Sequence, residues 1–324
     1  MKRFIKLFAT FVSVMVFAGS IFVFLYQDDV TDWWMLRNYT PPAEIAALAD
    51  DTTMTELGRR YFFVYRPELL SRDTFRSRCT IAEKSIILGC YVSQRGIFIY
   101  DVQDEQLEGI KQVTAAHEML HVAYERLSPR ERERIDELTL AVYDDLDNPR
   151  IQRTMQAYRE RDPGIVANEL HSILPTEVRE IGDELEEYYR QFFADRQAVV
   201  DFAEQYEAVF EQARTRVEVL DELLKTKRGD IEAQQQQLDS LALQLQQDRE
   251  RLNQLLDDNN IDAYNAGVSG FNAQVRRYND TVASLQRDID SYNDLVSERN
   301  DAVVTFGSLT EAIDTRPQPI MDQL

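Results

Sequence analysis

The chain has 324 residues, enough for two domains or for one domain with a long extension. It carries 57 acidic and 36 basic residues, and the formal net charge of −21 argues against binding to nucleic acid or to anionic lipid. The apolar fraction of 44% is sufficient for a buried core, and the small numbers of glycine (11) and proline (9) disfavour a β-sandwich rich in tight turns.

The first residues are typical of a membrane anchor. A basic flank at 1–6 precedes an uncharged run of twenty residues from Leu7 to Tyr26, and a helix of that length spans about 30 Å, the thickness of a bilayer's hydrocarbon core. The basic flank is expected to remain in the cytoplasm, so we predict a single-pass membrane protein with an extracytoplasmic remainder. A cleaved signal peptide is the alternative, and it would export the same remainder. Residues 27–42 are predicted to be a linker whose aromatic side chains suit the lipid headgroup region: Trp33, Trp34 and Tyr39.

The cysteine content agrees with export. Cys79 and Cys90 are the only two cysteines, and an even pair outside the cytosol usually oxidises. We therefore predict a disulfide between them, with two reduced, buried thiols as the alternative.

Residues 43–184 are predicted to form a small α+β domain. Two β-rich runs, 85–92 and 97–102, are joined by a short turn that contains Gly96, which predicts a β-hairpin. The second run is apolar on both faces, so its strand is expected to be covered on both sides. Helices are predicted around the hairpin at 44–48, 55–65, 105–127, 130–145 and 162–174.

The predicted helix 105–127 carries an H-E-x-x-H motif formed by His117, Glu118 and His121, which uses two of the three histidines in the chain. Residues four apart lie one turn apart on the same face, so both imidazoles can bind one Zn²⁺ ion. Glu118 lies about 100° round the helix, where it can act as a general base on a metal-bound water without binding the metal. Because the motif is short, the alternative is a solvated helix face with two idle histidines.

A third metal ligand is expected in the segment 168–172, which offers Glu169 and His171. The two residues are about 200° apart on a helix and cannot both face one ion. Glu169 shares a mostly apolar face, where a carboxylate needs a cation or another partner. We predict Glu169 as the ligand, with His171 as the alternative.

The sequence His117-Glu118-x-x-His121, followed by Asn168-Glu169-x-x-Ser172, resembles the paired motifs of the gluzincin branch of the zincin metallopeptidases, which includes the thermolysin-like enzymes. The resemblance implies a zincin-like catalytic domain that binds one Zn²⁺ ion through His117, His121 and Glu169, with Glu118 as the catalytic base. It also implies an edge strand that receives an extended peptide substrate, formed in this chain by Ile97, Phe98, Ile99 and Tyr100.

The chain departs from the thermolysin-like pattern in three places. The gap between the two motifs, from His121 to Glu169, is longer than in thermolysin. Position 173 is Ile where the pattern has an Asp that orients a ligand histidine, so Asp101 or Asp162 would have to supply that carboxylate, or it is absent. The histidine that stabilises the oxyanion in that family has no firm counterpart here. Four side chains are candidates for its role: Tyr124, Tyr143, Tyr158 and His171.

Residues 185–306 are predicted to form a helical coiled-coil hairpin. Apolar residues recur at alternating steps of four and three from Tyr206 to Leu255 and again from Tyr264 to Phe306. A polar turn at about 256–263 separates the two arms. We predict an antiparallel hairpin within one chain, with a parallel dimer as the alternative, and a loose tail over 307–324.

These features together predict a membrane-anchored, extracytoplasmic zinc metallopeptidase. It would hydrolyse a peptide or protein substrate by a metal-activated water, with Glu118 as general base. The hairpin is expected to offer a surface to a protein partner, and no nucleic-acid partner is expected. The alternative is an envelope scaffold whose coiled coil binds partners and whose zinc site is structural or inactive.

Overall fold

The computed structural model describes residues 13–17, 19–21, 26–79 and 86–316. The chain divides into two compact units. Unit 1 lies within residues 1–208 and 312–324, and unit 2 comprises residues 209–311. Helices dominate both units and a small three-stranded sheet lies in unit 1, which confirms the predicted combination of a small sheet, helices and a long C-terminal helix pair.

No helix within the described part of the chain is long and apolar enough to span a membrane. Of the predicted span from Leu7 to Tyr26, only 13–17, 19–21 and Tyr26 belong to that part, and the basic flank at 1–6 lies outside it. The residues at 13–17 and 19–21 are helical and exposed.

The segment after this run is not the linker predicted for 27–42. It contains a helix, α1 (Gln27–Leu36), in which Asp32 is only 1% exposed. The Asp32 carboxylate accepts two hydrogen bonds from the Arg126 guanidinium, at 2.6 and 2.8 Å. A buried, bidentate ion pair of this kind fixes both position and orientation, so α1 is part of unit 1.

The rest of unit 1 consists of short helices and three strands. The helices are α2 (Ala43–Asp51), α3 (Glu56–Val64), α4 (Arg72–Arg78), α5 (Ile110–Glu125), α6 (Pro129–Asp145), α7 (Pro149–Arg161), α8 (Val166–Glu177) and α9 (Asp183–Tyr189). Local chemistry sets several starts: Ser128 and Glu131 form a capping box on α6, and Asn148 caps α7. Helix α5 begins after Gly109 and not at 105, because Gly109 has a left-handed backbone with φ of 98°.

The sheet has the order β1-β3-β2, with β1 (Glu68–Leu70), β2 (Gly89–Val92) and β3 (Gly96–Tyr100). Strands β2 and β3 are antiparallel, as the predicted hairpin requires, and β1 pairs with β3 in parallel. All five residues of β3 are buried. Because β3 is the central strand, the prediction of an edge strand at Ile97, Phe98, Ile99 and Tyr100 is wrong, and β1 and β2 lie at the edges instead.

Cys79 and Cys90 lie at disulfide-bond distance, with their Cα atoms 6.0 Å apart, which confirms the predicted pair. The bond links the C-terminal end of α4 to strand β2. Edge strand β2 is therefore held both by pairing with β3 and by a covalent link.

Helix α5 is the central helix of unit 1. Five of its apolar residues are inaccessible to solvent: Ala115, Ala116, Met119, Leu120 and Val122. The helix packs against α2, α3 and α8 and against strands β2 and β3. Side chains carried by a helix that is packed on so many sides are held in defined positions.

Unit 2 is formed by the greater part of two long antiparallel helices of one chain, which is the helix pair predicted. Helix α10 (Gln197–Asp257) and helix α11 (Ile261–Ile313) are joined by the residues at 258–260. Leucines at predicted heptad core positions are buried: Leu220, Leu238, Leu241 and Leu285.

Polar residues at core positions of the helix pair have partners on the opposite helix. Lys227 Nζ lies 2.9 Å from Asp288 Oδ1, and Gln234 also donates to Asp288. Further along, Gln274 Nε2 donates to Asp248 Oδ2 at 2.8 Å. Such contacts are made in only one alignment of the two helices, so they specify the register.

The residues at 312–316 are not the loose tail predicted for 307–324. Helix α11 extends through the first part of that range. Beyond the helix, the buried Thr315 hydroxyl accepts a hydrogen bond from the Ile87 N–H at 3.3 Å and donates to the Ile87 C=O at 2.7 Å. Paired backbone groups fix this segment beside the start of β2, and residues 317–324 lie outside the described part of the chain.

Candidate metal centre

Two imidazoles lie on the same face of helix α5. The rings of His117 and His121 have centroids 4.7 Å apart, as expected for residues separated by one helical turn. The start of the helix is fixed by close packing, since a Cβ on Gly109 would lie 2.9 Å from the backbone oxygen of Phe202.

Helix α8 places Glu169 opposite the two histidines. Its Oε2 lies 3.6 Å from His117 Nε2, and its Oε1 lies 4.0 Å from His121 Nε2. One ligand atom from each of the three residues falls within 4.8 Å of the others, so the triad could bind a metal ion. The structure therefore brings together the two histidines of the motif and the carboxylate predicted as third ligand.

The triad has the chemistry of a cation site. The three side chains are only 11–16% exposed, and Glu169 Oε2 is buried without a hydrogen-bond partner among the described residues. Burial disfavours the charged form of Glu169, but the nearby imidazoles of His117 and His121 outweigh it and lower the pKa of the carboxyl. A buried anionic oxygen without a donor is costly unless a cation neutralises it. Two imidazole nitrogens and a carboxylate oxygen fit a divalent transition metal.

The ring of His121 is oriented by Asn168, the residue before Glu169. Asn168 Oδ1 lies 3.0 Å from His121 Nδ1, and Ser172 Oγ lies 3.3 Å from the same nitrogen. Because a carbonyl oxygen accepts, this contact places the proton on Nδ1 and leaves Nε2 free to bind a metal.

Neither carboxylate proposed for this orienting role serves it. Asp101 forms an ion pair with Lys111 at 2.9 Å, and Asp162 accepts from the N–H of Gly164 at 2.9 Å. Asn168 replaces them. Asn168 belongs to the second motif, but the sequence alone indicated no role for its side chain.

Glu118 is a buried acid beside the triad that does not belong to it. Burial raises the pKa of Glu118 to about 7, and the nearby Glu169 carboxylate acts in the same direction. His121 and a hydrogen bond from the backbone N–H of Tyr91 oppose the shift. Its Oε2 is buried without a hydrogen-bond partner among the described residues. A carboxyl with a pKa near neutrality can exchange a proton readily at physiological pH.

Strand β2 approaches Glu118 closely at Gly89. A Cβ on Gly89 would lie 2.5 Å from Glu118 Oε1 and 2.6 Å from Thr114 Cγ2. Any side chain at this position would push the strand away from α5, so glycine is required for the contact.

His171 does not join the triad as a ligand. It is fully buried on another side of α8, where its Nε2 lies 2.8 Å from the Tyr188 hydroxyl. Burial lowers the pKa of His171 to about 3, and the two other histidines add to the effect. A neutral histidine surrounded by tyrosines is a core residue, so neither the alternative ligand role nor the oxyanion role fits its position.

Of the tyrosines predicted as oxyanion stabilisers, the structure places Tyr158 at the triad. Burial, followed by the charges of Glu169 and Glu118, raises the pKa of Tyr158. Tyr124 instead donates to Asp136 at 2.9 Å, and Tyr143 packs against the hydrophobic core. Tyr158 is carried by α7, a helix that the sequence analysis did not predict.

Comparison of the chain with protein-family models, with curated proteins and with solved structures finds no match. The interpretation of the centre therefore depends on its own geometry. Two imidazoles, a carboxylate and a separate buried acid converge at one place. This combination is the starting point for the functional proposal.

Proposed function

We propose that this protein is a zinc metallopeptidase of the gluzincin type. The observation that carries the proposal is the buried acid Glu118, which lies beside the triad of His117, His121 and Glu169 and is not itself a ligand. A purely structural metal site has no need of such an acid. The order of the residues along the chain follows the two gluzincin motifs, which supports the same class.

The side chains support a hydrolytic mechanism. A Zn²⁺ ion held by His117, His121 and Glu169 would supply Lewis-acid chemistry to the scissile carbonyl and to the attacking water. Glu118 takes a proton from the attacking water and passes it to the leaving amine. The raised pKa of Glu118, about 7, suits both steps. The Tyr158 hydroxyl, which is near enough for the charges of Glu169 and Glu118 to raise its pKa, is the proposed donor to the oxyanion.

Strand β2 is the proposed substrate strand. The N–H of Tyr100 donates to the C=O of Leu88. Because hydrogen bonding alternates along an antiparallel pair, the backbone groups of Gly89 and Tyr91 point away from β3, toward the open edge of the sheet. The N–H of Tyr91 reaches Glu118. A peptide added to this edge as a further strand would have its backbone beside the catalytic acid.

The proposed location is extracytoplasmic, with the chain anchored by residues 7–26. The uncharged run with its basic flank supports the anchor. The bonded pair Cys79 and Cys90 supports an oxidising compartment.

One observation favours the alternative of a scaffold with a structural zinc site. The three ligand side chains are only 11–16% exposed, and a structural site is closed to solvent. The helix pair of unit 2 would then carry the function by binding a protein partner.

Metal analysis combined with a peptide-library digest separates the two proposals. The wild-type protein should carry one zinc per chain and cleave peptides. Glu118→Gln should keep the zinc and lose hydrolysis, whereas His117→Ala should lose both. Glu133→Gln, at an exposed position on α6, is the matched control and should behave as wild type. Full cleavage by Glu118→Gln would refute the mechanism, and zinc-loaded wild type without any cleavage would favour the scaffold.

A further inference from the structure

Helix α1 has two faces of opposite character. One face carries Asp32, which is buried against unit 1. At 100° per residue, the apolar residues of the other face fall within an arc of about 100°. They are Tyr26, Val30, Trp33 and Trp34. We call this set the aromatic stripe.

The aromatic stripe is open to solvent. Trp33 is 65% and Trp34 is 59% exposed. One shallow groove on this side of the helix is lined by Tyr26, Val30 and Trp33, together with Asp29. Two neighbouring tryptophans exposed to this degree are costly in water. A surface of this kind is expected to contact a partner.

Ion pairs hold the face of α1 opposite the stripe against the rest of unit 1. Besides the two hydrogen bonds from Arg126, Asp32 lies 3.6 Å from Arg60 Nε, and Arg60 also pairs with Asp29 at 2.9 Å. The Arg126 guanidinium stacks over the Tyr61 ring, 4.4 Å from its centroid. Breaking this arrangement would leave buried charges unpaired, so the stripe has a fixed direction relative to the metal centre.

The chemistry of the stripe and its place in the chain identify the partner. Indole and phenol rings prefer the boundary between lipid headgroups and acyl chains, and the uncharged run from Leu7 ends at Tyr26, the first residue of the stripe. Arg37 stacks on Trp34, 3.4 Å from the ring centroid, where its cation can meet a lipid phosphate. The third aromatic residue predicted for the headgroup region, Tyr39, is half-buried against Phe63 instead.

We infer that α1 is a membrane-contact helix: its aromatic stripe enters the headgroup region of a phospholipid bilayer, while its Asp32 face holds unit 1 against that surface. The inference rests on the membrane location in the proposed function and not on peptidase activity. It means that unit 1 is seated on the bilayer in one orientation and is not suspended on a flexible tether.

The chain contains its own probe for this inference. Its only two tryptophans are Trp33 and Trp34, so intrinsic tryptophan fluorescence reports on the stripe alone. The full chain is reconstituted into phosphatidylcholine vesicles in which the lipid is brominated either near the headgroup or near the acyl-chain terminus. Emission should shift to shorter wavelength, and bromine near the headgroup should quench it more strongly than bromine near the terminus. The variants Trp33→Ala and Trp34→Ala, each with one tryptophan left, should show the same order.

Three other outcomes would overturn the inference. In the first, the protein floats with the vesicles, but its emission is quenched by aqueous iodide and not by bromolipid. This result would place the stripe in water and leave the membrane anchor intact. A blue shift that depends on protein concentration and ignores bromine indicates a second copy of the chain on the stripe. Protein that does not float at all overturns the membrane location itself, whereas peptidase activity is measured separately on a soluble peptide.

The fixed orientation has its own test. In the wild type, the thermal transition followed by tryptophan emission should coincide with the transition followed by far-UV circular dichroism. Asp32→Asn should move the tryptophan transition to lower temperature, because α1 then separates before unit 1 unfolds. Asp28→Asn, at an exposed position on the same helix, should behave as wild type. Coincident transitions in Asp32→Asn would overturn the fixed seating.

Discussion

The role of Asn168 at the metal centre gives a quantitative prediction. Asn168→Ala removes the acceptor 3.0 Å from His121 Nδ1. Loss of an outer contact to a ligand histidine typically costs 10–100-fold in metal affinity. The Ser172 hydroxyl remains 3.3 Å from the same nitrogen and can keep part of the orientation. We therefore expect the lower end of that range, an increase of about tenfold in the zinc Kd, equivalent to about 1.4 kcal/mol.

The assay is competition for zinc against a chromophoric chelator of known affinity. Two further variants bracket the result. Asn168→Asp keeps an acceptor and adds charge, so it should bind zinc at least as tightly as the wild type, and Asn168→Ala combined with Ser172→Ala should bind more weakly than Asn168→Ala alone. The reasoning is refuted if Asn168→Ala has the wild-type Kd while His121→Ala loses zinc.

Three further predictions concern other parts of the molecule. Gly89→Ala should lower kcat/KM by about 10–100-fold at unchanged zinc content, because its Cβ would lie 2.5 Å from Glu118 Oε1 and displace β2, the proposed substrate strand. Burial raises the pKa of Glu207 to about 7 despite the neighbouring Arg150. The contribution of Glu207 to the free energy of unfolding is therefore fully present below pH 4.5 and is lost as the pH rises through 7. Glu207→Gln should therefore gain stability relative to wild type across that window, by at most about 3 kcal/mol in chemical denaturation. Replacing both Lys227 and Asp288 with leucine should raise the Tm and create oligomers visible by light scattering, since the polar contact fixes the register.

Each of these predictions has a result that contradicts it. Full activity in Gly89→Ala would show that β2 does not position the substrate, and Gly229→Ala, where an added Cβ meets nothing within 4 Å, is the control. A stability difference between Glu207→Gln and wild type that stays constant from pH 4.5 to 8 would exclude a raised pKa. Unchanged light scattering for the double leucine variant would mean that apolar packing alone sets the register.

The three residues of the candidate metal site could be predicted because their signal is local. His117 and His121 are four residues apart, and Glu169 lies on an apolar helix face, so helix geometry alone brings each to a defined side of its helix. The heptad positions of the hairpin are predictable for the same reason. The pairing of Cys79 with Cys90 needed only the absence of other candidates.

The features that were missed depend on contacts between distant residues. Asp32 and Arg126 are 94 positions apart. No periodic pattern in the sequence indicates that these two residues pair and hold the segment 27–36 against unit 1 as a helix. The central position of β3 depends on β1, a strand of three residues that is too short for a recognisable pattern. Helix α7 is different, because Asn148 followed by Pro149 is a clear helix start that could have been recognised and would have placed Tyr158 on a helix.

The contact of Thr315 with Ile87 has a consequence for co-translational folding. The two residues are 228 positions apart, so this contact of unit 1 can form only after residue 315 has been translated. Closing a loop of that size is slow, and apolar surface stays exposed to solvent until the loop has closed. The long helices, whose contacts are local, can form during this delay and draw the two ends of the intervening segment together, which shortens the search. In a nascent chain arrested before residue 312, the backbone N–H of Ile87 should accordingly lack this protection while the long helices are already protected.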